Sequence, residues 1–187
     1  MKNYIKELNK VFSKIEVTDD KGKAVVLDKA IEKTVSIVLA QKKTGKKTII
    51  IGNGGSASIA SHTVVDLLKN ARIPAIAFND PSLITCLSND LGYDYVFQKP
   101  IEMLSEKGDI LFSISSSGRS KNIINAAHEA KRKGCFLVTM SGFGKENPLR
   151  KLGRINFYVP SASYGYIEII HSAICHCITD RLIERNR

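Results

Sequence analysis

The sequence contains no tryptophan, and its four cysteines include no Cys-x-x-Cys pair, the spacing typical of redox and zinc-binding motifs. Cys135 falls in an apolar run predicted as a strand, and Cys175 and Cys177 fall in an apolar stretch predicted as a helix. Reduced thiols in the core of a cytosolic protein are therefore expected, rather than a disulfide framework.

Long apolar runs are also missing. No stretch is long enough to span a membrane, and the N-terminal segment has no apolar signal region. We therefore expect a cytoplasmic protein with no membrane partner. A chain of 187 residues that is 43% hydrophobic and 25% charged is typical of a globular protein, and its length favours one domain over residues 1–187.

Acidic residues are fewer than basic ones: 18 Asp and Glu against 28 Lys and Arg, which gives a formal net charge of +10. Such a balance can indicate nucleic acid, an anionic surface or anionic small molecules as partners. The densest clusters, residues 42–47 and 131–133, each end a predicted helix, where cations are favoured. Since no nucleic-acid motif accompanies the charge, we predict no nucleic-acid partner. A strong, salt-dependent affinity for DNA would instead support a nucleic-acid partner.

From Thr48 onward, strand-like and helical patterns alternate. This alternation predicts an α/β fold with a five-stranded parallel sheet and helices on both faces. Two helices, within residues 1–45, precede the first predicted strand and are expected to pack on the core or on a neighbouring subunit. The predicted strands are Thr48–Ile51, Pro74–Phe78, Asp109–Ile114, Cys135–Met140 and Ile155–Val159.

The first βα turn reads Gly52-Asn-Gly-Gly-Ser56. Glycines allow the backbone to approach a ligand, and a helix N-terminus presents free N–H groups that suit an anion. The helix that follows places His62 and Asp66 four residues apart on one face. The turn is neither a P-loop nor a dinucleotide-binding G-x-G-x-x-G motif.

A second polar loop follows the third predicted strand and contains five serines within residues 113–120. Hydroxyls, free N–H groups and a helix N-terminus together favour phosphate. The alternative is a serine-rich helix cap, for which the hydroxyl of Ser120 alone would be sufficient. The number of serines therefore favours a phosphate site.

The last helix carries Tyr164, Glu168, His171 and His176 on an otherwise apolar stretch. Glu168 and His176 are two turns apart, about 12 Å along a helix axis. They can meet at one ion only if their side chains lean together or different subunits contribute. Spacing alone therefore leaves open whether these residues bind a metal or are hydrogen-bonded core residues.

Together, Gly52–Ser56, His62, Asn89-Asp90, Ser115–Ser120 and His176 resemble the phosphoheptose isomerase family of the sugar-isomerase (SIS) fold. The resemblance implies a flavodoxin-like sheet, a homotetramer with sites at subunit interfaces, and one Zn²⁺ per subunit. It implies interconversion of sedoheptulose 7-phosphate and D-glycero-D-manno-heptose 7-phosphate. The metal positions would be His62, Asp66, Glu168 and His176. The substrate-binding positions would be Asn53, Gly54, Gly55, Asp66, Asn89, Asp90, Ser115, Ser116, Ser117, Ser120 and Glu168.

The chain departs from the family at two of these positions, since the family usually has Glu where Asp66 stands and Gln where Glu168 stands. Both substitutions retain metal-ligand chemistry, so the departures bear on catalytic geometry and substrate choice. On this basis Asp66 is the predicted catalytic base and His176 its partner acid/base. Zinc would polarise the substrate carbonyl, and the serine loop would hold the phosphate.

A non-catalytic SIS-domain protein is the alternative, one that senses sugar phosphates or associates with the bacterial replication initiator protein. Such a protein could keep the serine loop and lose the metal and acid/base residues. His62, His176 and the two carboxylates are all present here, which favours an enzyme.

Overall fold

The structure is a computed structural model that describes residues 1–186. A six-stranded sheet with the order β1-β6-β5-β4-β2-β3 lies at its centre. Strands β2 to β6 are parallel to one another, and β1 runs antiparallel to β6. The strands are β1 (Glu16–Asp19), β2 (Thr48–Gly52), β3 (Ala75–Ala77), β4 (Ile110–Ser115), β5 (Phe136–Ser141) and β6 (Ile155–Tyr158).

Seven α-helices surround the sheet, together with short 3-10 turns at Tyr93–Tyr95 and Leu149–Lys151. None of the helices within residues 1–186 combines the length and apolarity needed to cross a membrane. The helices are α1 (Lys2–Phe12), α2 (Leu27–Lys43), α3 (Gly55–Lys69), α4 (Pro81–Leu91), α5 (Gln98–Leu104), α6 (Lys121–Arg132) and α7 (Tyr164–Arg185).

The central strands bury both of their faces, as expected of a parallel sheet covered by helices on two sides. Ile50 and Phe112 point into a core formed with α2, α3 and α7. Ile49 and Leu111, one residue away on the same strands, point into a second core formed with α5 and α6. The predicted α/β fold with helices on both faces is therefore confirmed.

The strand count was wrong by one. No strand was predicted before Thr48, but Glu16–Asp19 forms β1, which pairs antiparallel with β6. Val17 alone is fully buried in this four-residue strand. A pattern with one buried residue in four is too short to stand out from a turn, and the pairing with β6 supplies the remaining stabilisation.

The segment after β3 also differs from the prediction. The sequence analysis assigned no helix to residues 81–91, yet they form α4. The Asp80 side chain caps this helix by accepting a hydrogen bond from Leu83 N at 3.0 Å, and Pro81 occupies its first turn. These start signals were present in the sequence, but α4 has no fully buried residue, so its apolar periodicity is weak.

The N-terminal helices pack on α7 of the same chain. Ala30, Val35 and Val38 of α2 are buried in the core beneath it, while α1 buries no residue completely. All four cysteines are free thiols. Cys135 and Cys175 are buried as predicted, whereas Cys86 is exposed on α4.

Candidate functional site

A polar cavity of about 140 Å³ lies at the carboxyl ends of β2 and β4. These strands are neighbours in the sheet, so the loop after each one reaches the same edge. The two loops predicted separately from the sequence therefore form one site. Its lining residues are Asn53, Ser56, Ser115, Ser116, Ser117, Ser120, Tyr164 and Glu168.

The serine loop is largely buried, and two of its hydroxyls have no hydrogen-bond partner within residues 1–186: that of Ser113, inside β4, and that of Ser116, which lines the cavity. Ser116 is 6% exposed, and its Oγ has no hydrogen-bond partner within residues 1–186. Ser115 Oγ lies 3.3 Å from Ser120 Oγ, and the Arg119 N–H donates to Ser117 Oγ at 3.2 Å. Buried hydroxyls are normally paired, so the free Ser116 group, which lines the cavity, points to a polar ligand.

The shape of this loop depends on Gly118, whose φ is +60°. Its Cα packs against the side chain of Asn147, which is completely buried and donates to Ser141 Oγ at 3.1 Å. A side chain at position 118 would overlap Asn147, so glycine is required there. α6 begins directly after the loop, and its first N–H groups therefore face the serines.

Two residues that the sequence analysis missed hold Asn53 in place. The side-chain amides of Asn53 and Asn122 donate to each other, each at 2.9 Å. The Tyr93 hydroxyl donates to the same Asn53 oxygen at 2.9 Å. Only one N–H of the Asn53 amide therefore remains for a ligand. Asn122 follows the serine loop directly, but nothing in its local sequence indicates a partner 69 residues away.

About two turns further along α3 and α7, these helices bring together His62, Asp66 and His176 (the His–Asp–His cluster). Asp66 Oδ2 lies 3.3 Å from His62 Nε2 and 3.5 Å from His176 Nδ1. One ligand atom from each residue falls within 4.8 Å of the others. Two imidazoles and one carboxylate form a donor set of the kind found in catalytic zinc sites, which leave one position open. These residues therefore fit zinc.

Glu168 does not join this cluster and faces the serine cavity instead. Its carboxylate rests against Gly55, where an added Cβ would lie only 2.5 Å from the carboxylate carbon. Gly55 and His62 are seven residues apart on α3, and Glu168 and His176 are eight apart on α7, which corresponds to roughly 10–12 Å along either helix. The cavity and the His–Asp–His cluster thus lie at different positions along the same two helices. A role for Glu168 as a metal ligand stays a prediction.

Known proteins share both the sequence pattern and the fold of this chain. The sequence profile described as "SIS domain" matches residues 3–142, about three quarters of the chain. A phosphoheptose isomerase of Sulfurimonas denitrificans is 38% identical over 191 aligned positions that cover 99% of this chain and 96% of that protein.

The chain belongs to the phosphoheptose isomerase family of SIS-domain proteins. Solved structures agree with this assignment. A phosphoheptose isomerase from Francisella tularensis matches with a TM-score of 0.84 and 28% identity, covering 98% of this chain and 96% of that one. The enzyme from Neisseria gonorrhoeae matches with a TM-score of 0.83 and 25% identity over 96% of both chains.

Within this SIS-domain chain, the predicted pair Asn89 and Asp90 lies apart from the cavity. Both side chains are exposed on α4, and the Asn89 amide donates to Asp90 Oδ1 at 2.9 Å. Asp90 Oδ2 also accepts a hydrogen bond from the Cys86 thiol at 3.5 Å. Neither residue lines the serine cavity, and their contact with substrate stays a prediction.

His171 is a core residue of the SIS domain rather than part of the site. Its ring is completely buried, with Nε2 3.3 Å from Ser141 O. Burial lowers the pKa of this imidazole to about 4, so it is neutral near pH 7. His171 is therefore a buried core residue, whereas His176 lies in the His–Asp–His cluster, where its role as a metal ligand stays a prediction.

Proposed function

We propose that the protein is an aldose–ketose isomerase that interconverts sedoheptulose 7-phosphate and D-glycero-D-manno-heptose 7-phosphate. The observation that carries the proposal is the pairing, in one SIS-domain chain, of an anion cavity with the His–Asp–His cluster about 10–12 Å away. An extended seven-carbon sugar phosphate, with C–C bonds near 1.5 Å, has a length of roughly 10 Å. Its phosphate can therefore occupy the serine cavity while its carbonyl end reaches Asp66.

The reaction moves a proton from C1 to C2 through an ene-diolate, which needs a base and a group that returns the proton. Asp66 Oδ2 lies between two imidazoles, and Asp66 Oδ1 accepts a hydrogen bond from Asn70 at 3.1 Å. These contacts orient the carboxylate as the base. His176, in direct contact with it, is the proton donor and acceptor for the substrate oxygens.

We further propose that His62, Asp66 and His176 hold one Zn²⁺ per subunit. When bound, the ion would supply Lewis-acid polarisation of the substrate carbonyl. The serine loop contributes by fixing the phosphate, since the Ser116 hydroxyl has no partner within residues 1–186 and the N-terminus of α6 directly follows the loop.

A homotetramer with sites at subunit interfaces is part of the same proposal, as is a cytoplasmic location. The His–Asp–His cluster is open in the isolated chain, with the His62 side chain 65% exposed and that of His176 49% exposed. Val65 and Leu68, on α3 beside the cluster, are exposed apolar residues. A neighbouring subunit would cover these side chains and exclude water from the reacting end of the sugar.

Proton exchange in deuterated water tests the proposal directly. The purified protein is incubated with sedoheptulose 7-phosphate, with and without added zinc, while NMR follows C1 deuteration and aldose formation. Exchange with product formation is expected, and it should depend on zinc. Exchange without product would assign the chemistry to a different sugar. Neither signal, with zinc present and a tetramer shown by light scattering, would favour a non-catalytic sugar-phosphate-binding protein.

A further inference from the structure

Asn53 lines the serine cavity with an amide whose effect on a ligand depends on its orientation. An asparagine side chain presents an N–H donor on one side and a carbonyl acceptor on the other, and a half-turn about its last bond exchanges the two. A fully ionised phosphate has only acceptor oxygens. The orientation of this amide therefore decides whether Asn53 attracts the phosphate or repels it.

A backbone N–H group fixes the orientation of the neighbouring amide, that of Asn122. Ile123 N donates to Asn122 Oδ1 at 2.9 Å. Because a main-chain N–H can only donate, the Asn122 atom that faces it has to be the oxygen. Asn122 is only 2% exposed, so its amide cannot turn towards solvent instead. Its oxygen and its nitrogen are thereby assigned without reference to Asn53.

The fixed amide of Asn122 in turn determines the orientation of Asn53. Asn122 Nδ2 donates to Asn53 Oδ1, and Asn53 Nδ2 donates to Asn122 Oδ1, each at 2.9 Å. A half-turn of Asn53 would set the two N–H groups against each other, and likewise the two oxygens, so both hydrogen bonds would be lost. The Tyr93 hydroxyl is a second donor to Asn53 Oδ1, also at 2.9 Å. The Asn53 oxygen is thus occupied, and one N–H is left for the cavity.

The hydroxyl of Tyr93 is held in place by the attachment of its 3-10 turn to α6. Asn125 Nδ2 donates to Asp94 O at 3.0 Å, and Lys121 Nζ lies 3.6 Å from Asp94 Oδ2. Tyr93 itself is 53% exposed. Its hydroxyl could bond to water equally well, so the contact with Asn53 adds little to the stability of the fold. Its main effect is on the orientation of Asn53.

We propose that Asn122 and Tyr93 are positioning residues that hold the Asn53 amide with an N–H towards the serine cavity. This inference rests on the proposed function, because the ligand is the phosphate of the same sugar phosphate. Neither residue lines the cavity, so both act through Asn53. A preoriented donor binds the phosphate without first ordering a side chain, and it favours ligands whose oxygens only accept hydrogen bonds, such as a dianionic phosphate monoester.

A double-mutant cycle tests whether Tyr93 acts through Asn53. Calorimetry gives the dissociation constant of sorbitol 6-phosphate, which has no carbonyl and cannot be isomerised, for the zinc-supplemented wild type, Tyr93→Phe, Asn53→Ala and the double variant. Asn53→Ala is expected to weaken binding about tenfold, the effect of one hydrogen bond to a charged group, and Tyr93→Phe about threefold. Once Asn53 is replaced by alanine, Tyr93→Phe is expected to change the affinity by less than about 1.5-fold.

Tyr95→Phe is the matched control. Tyr95 belongs to the same 3-10 turn and is similarly exposed, at 47%, but it lines a separate surface groove. Its variant is expected to bind sorbitol 6-phosphate within about 1.5-fold of the wild type. Asn122→Ala should weaken binding about fivefold, again only while Asn53 is present. Because Asn122 is buried, melting temperatures are measured alongside, and that of Tyr93→Phe should stay within about 2 °C of the wild type.

The outcomes distinguish this inference from the proposed function. If Tyr93→Phe weakens binding equally with and without Asn53, the hydroxyl does not act through Asn53, and the inference is refuted while the isomerase proposal stands. Lower melting temperatures with unchanged affinity in Tyr93→Phe and Asn122→Ala would also refute it, because both residues would then serve the fold alone. If the wild-type protein does not bind sorbitol 6-phosphate, the sugar-phosphate site itself is wrong, and the inference fails with it.

Discussion

The serine cavity and the His–Asp–His cluster lie on the same two helices but are built differently. The cavity combines two loops, the starts of α3 and α6, and one face of α7, and Ser115 and Ser116 within it are buried. The cluster comes from side chains of α3 and α7 alone, and both of its histidines are substantially exposed.

This difference indicates which part of the site a single chain can complete. A cavity with preformed walls and an unpaired buried hydroxyl can bind an anion without help from a second subunit. The exposed His–Asp–His cluster, proposed to hold the metal and to transfer protons, needs a cover before its charges act in a dry environment. Binding of the phosphate and chemistry at the sugar carbonyl should therefore respond separately to substitution.

The largest expected effect follows from Asp66→Asn, which removes the proposed base. Turnover of sedoheptulose 7-phosphate should fall by about 10³-fold, because an amide cannot accept the proton from C1. Binding of sorbitol 6-phosphate at the serine cavity should change by less than about threefold. Asp180→Asn, at an exposed position on α7, is the control for rate and calorimetric measurements. Normal turnover by the Asp66→Asn variant would remove Asp66 from the base role.

Gly118→Ala should instead damage the cavity. The backbone at position 118 has a φ of +60°, which a Cβ disfavours, and the added Cβ overlaps the buried side chain of Asn147. The free energy of unfolding should therefore fall by about 2–4 kcal/mol. Urea denaturation measures this loss. Gly144→Ala, where an added Cβ meets nothing within 4 Å, is expected to stay within about 0.5 kcal/mol of the wild type. Equal losses in both variants would contradict the assigned role of Gly118.

The buried imidazole of His171 should make the free energy of unfolding depend on pH. Its pKa is about 4 in the folded protein and near 6.5 in the unfolded chain, so only the unfolded state gains this proton between those values. Stability is therefore complete above pH 6.5 and falls by up to about 3 kcal/mol as the pH drops to 4.

Denaturation at several pH values tests this linkage. The pH-dependent loss should be smaller in His171→Asn, which has no group to titrate, and unchanged in His128→Gln, where the substituted ring is exposed. Identical pH slopes for the wild type and His171→Asn would show that burial of this imidazole does not control acid stability.

The smallest effect is expected for Ser116→Ala, a substitution that separates ligand affinity from the free energy of unfolding. Removing a buried hydroxyl that has no partner in the described chain should leave the free energy of unfolding equal or raise it by up to about 1 kcal/mol. Affinity for sorbitol 6-phosphate should fall by about two- to tenfold, the contribution of one hydrogen bond. Ser58→Ala, on the exposed side of α3, should change neither quantity. Undiminished affinity in Ser116→Ala would place the phosphate elsewhere.

The local sequence pattern was sufficient to predict much of the fold. The five parallel strands were predicted to within two residues at each end, because β-branched runs between polar turns are a strong signal over a few residues. Such a signal failed for β1, with one buried residue, and for α4, with none. β1 is stabilised by pairing with β6, more than 130 residues away, which periodicity does not register. α4 packs mainly on the adjacent turn Tyr93–Tyr95, and without a buried face it has little apolar periodicity.

The sequence by itself determined which residue types face the ligand edge, since glycines, serines and the His62–Asp66 spacing are local features. Only the tertiary structure decided which side chains meet. Placing α7 beside α3 brought His176 to Asp66 and Glu168 to Gly55, two contacts between segments more than 100 residues apart. The relative position of two packed helices depends on the whole core between them, and a shift of one turn, about 5.4 Å, would break both contacts.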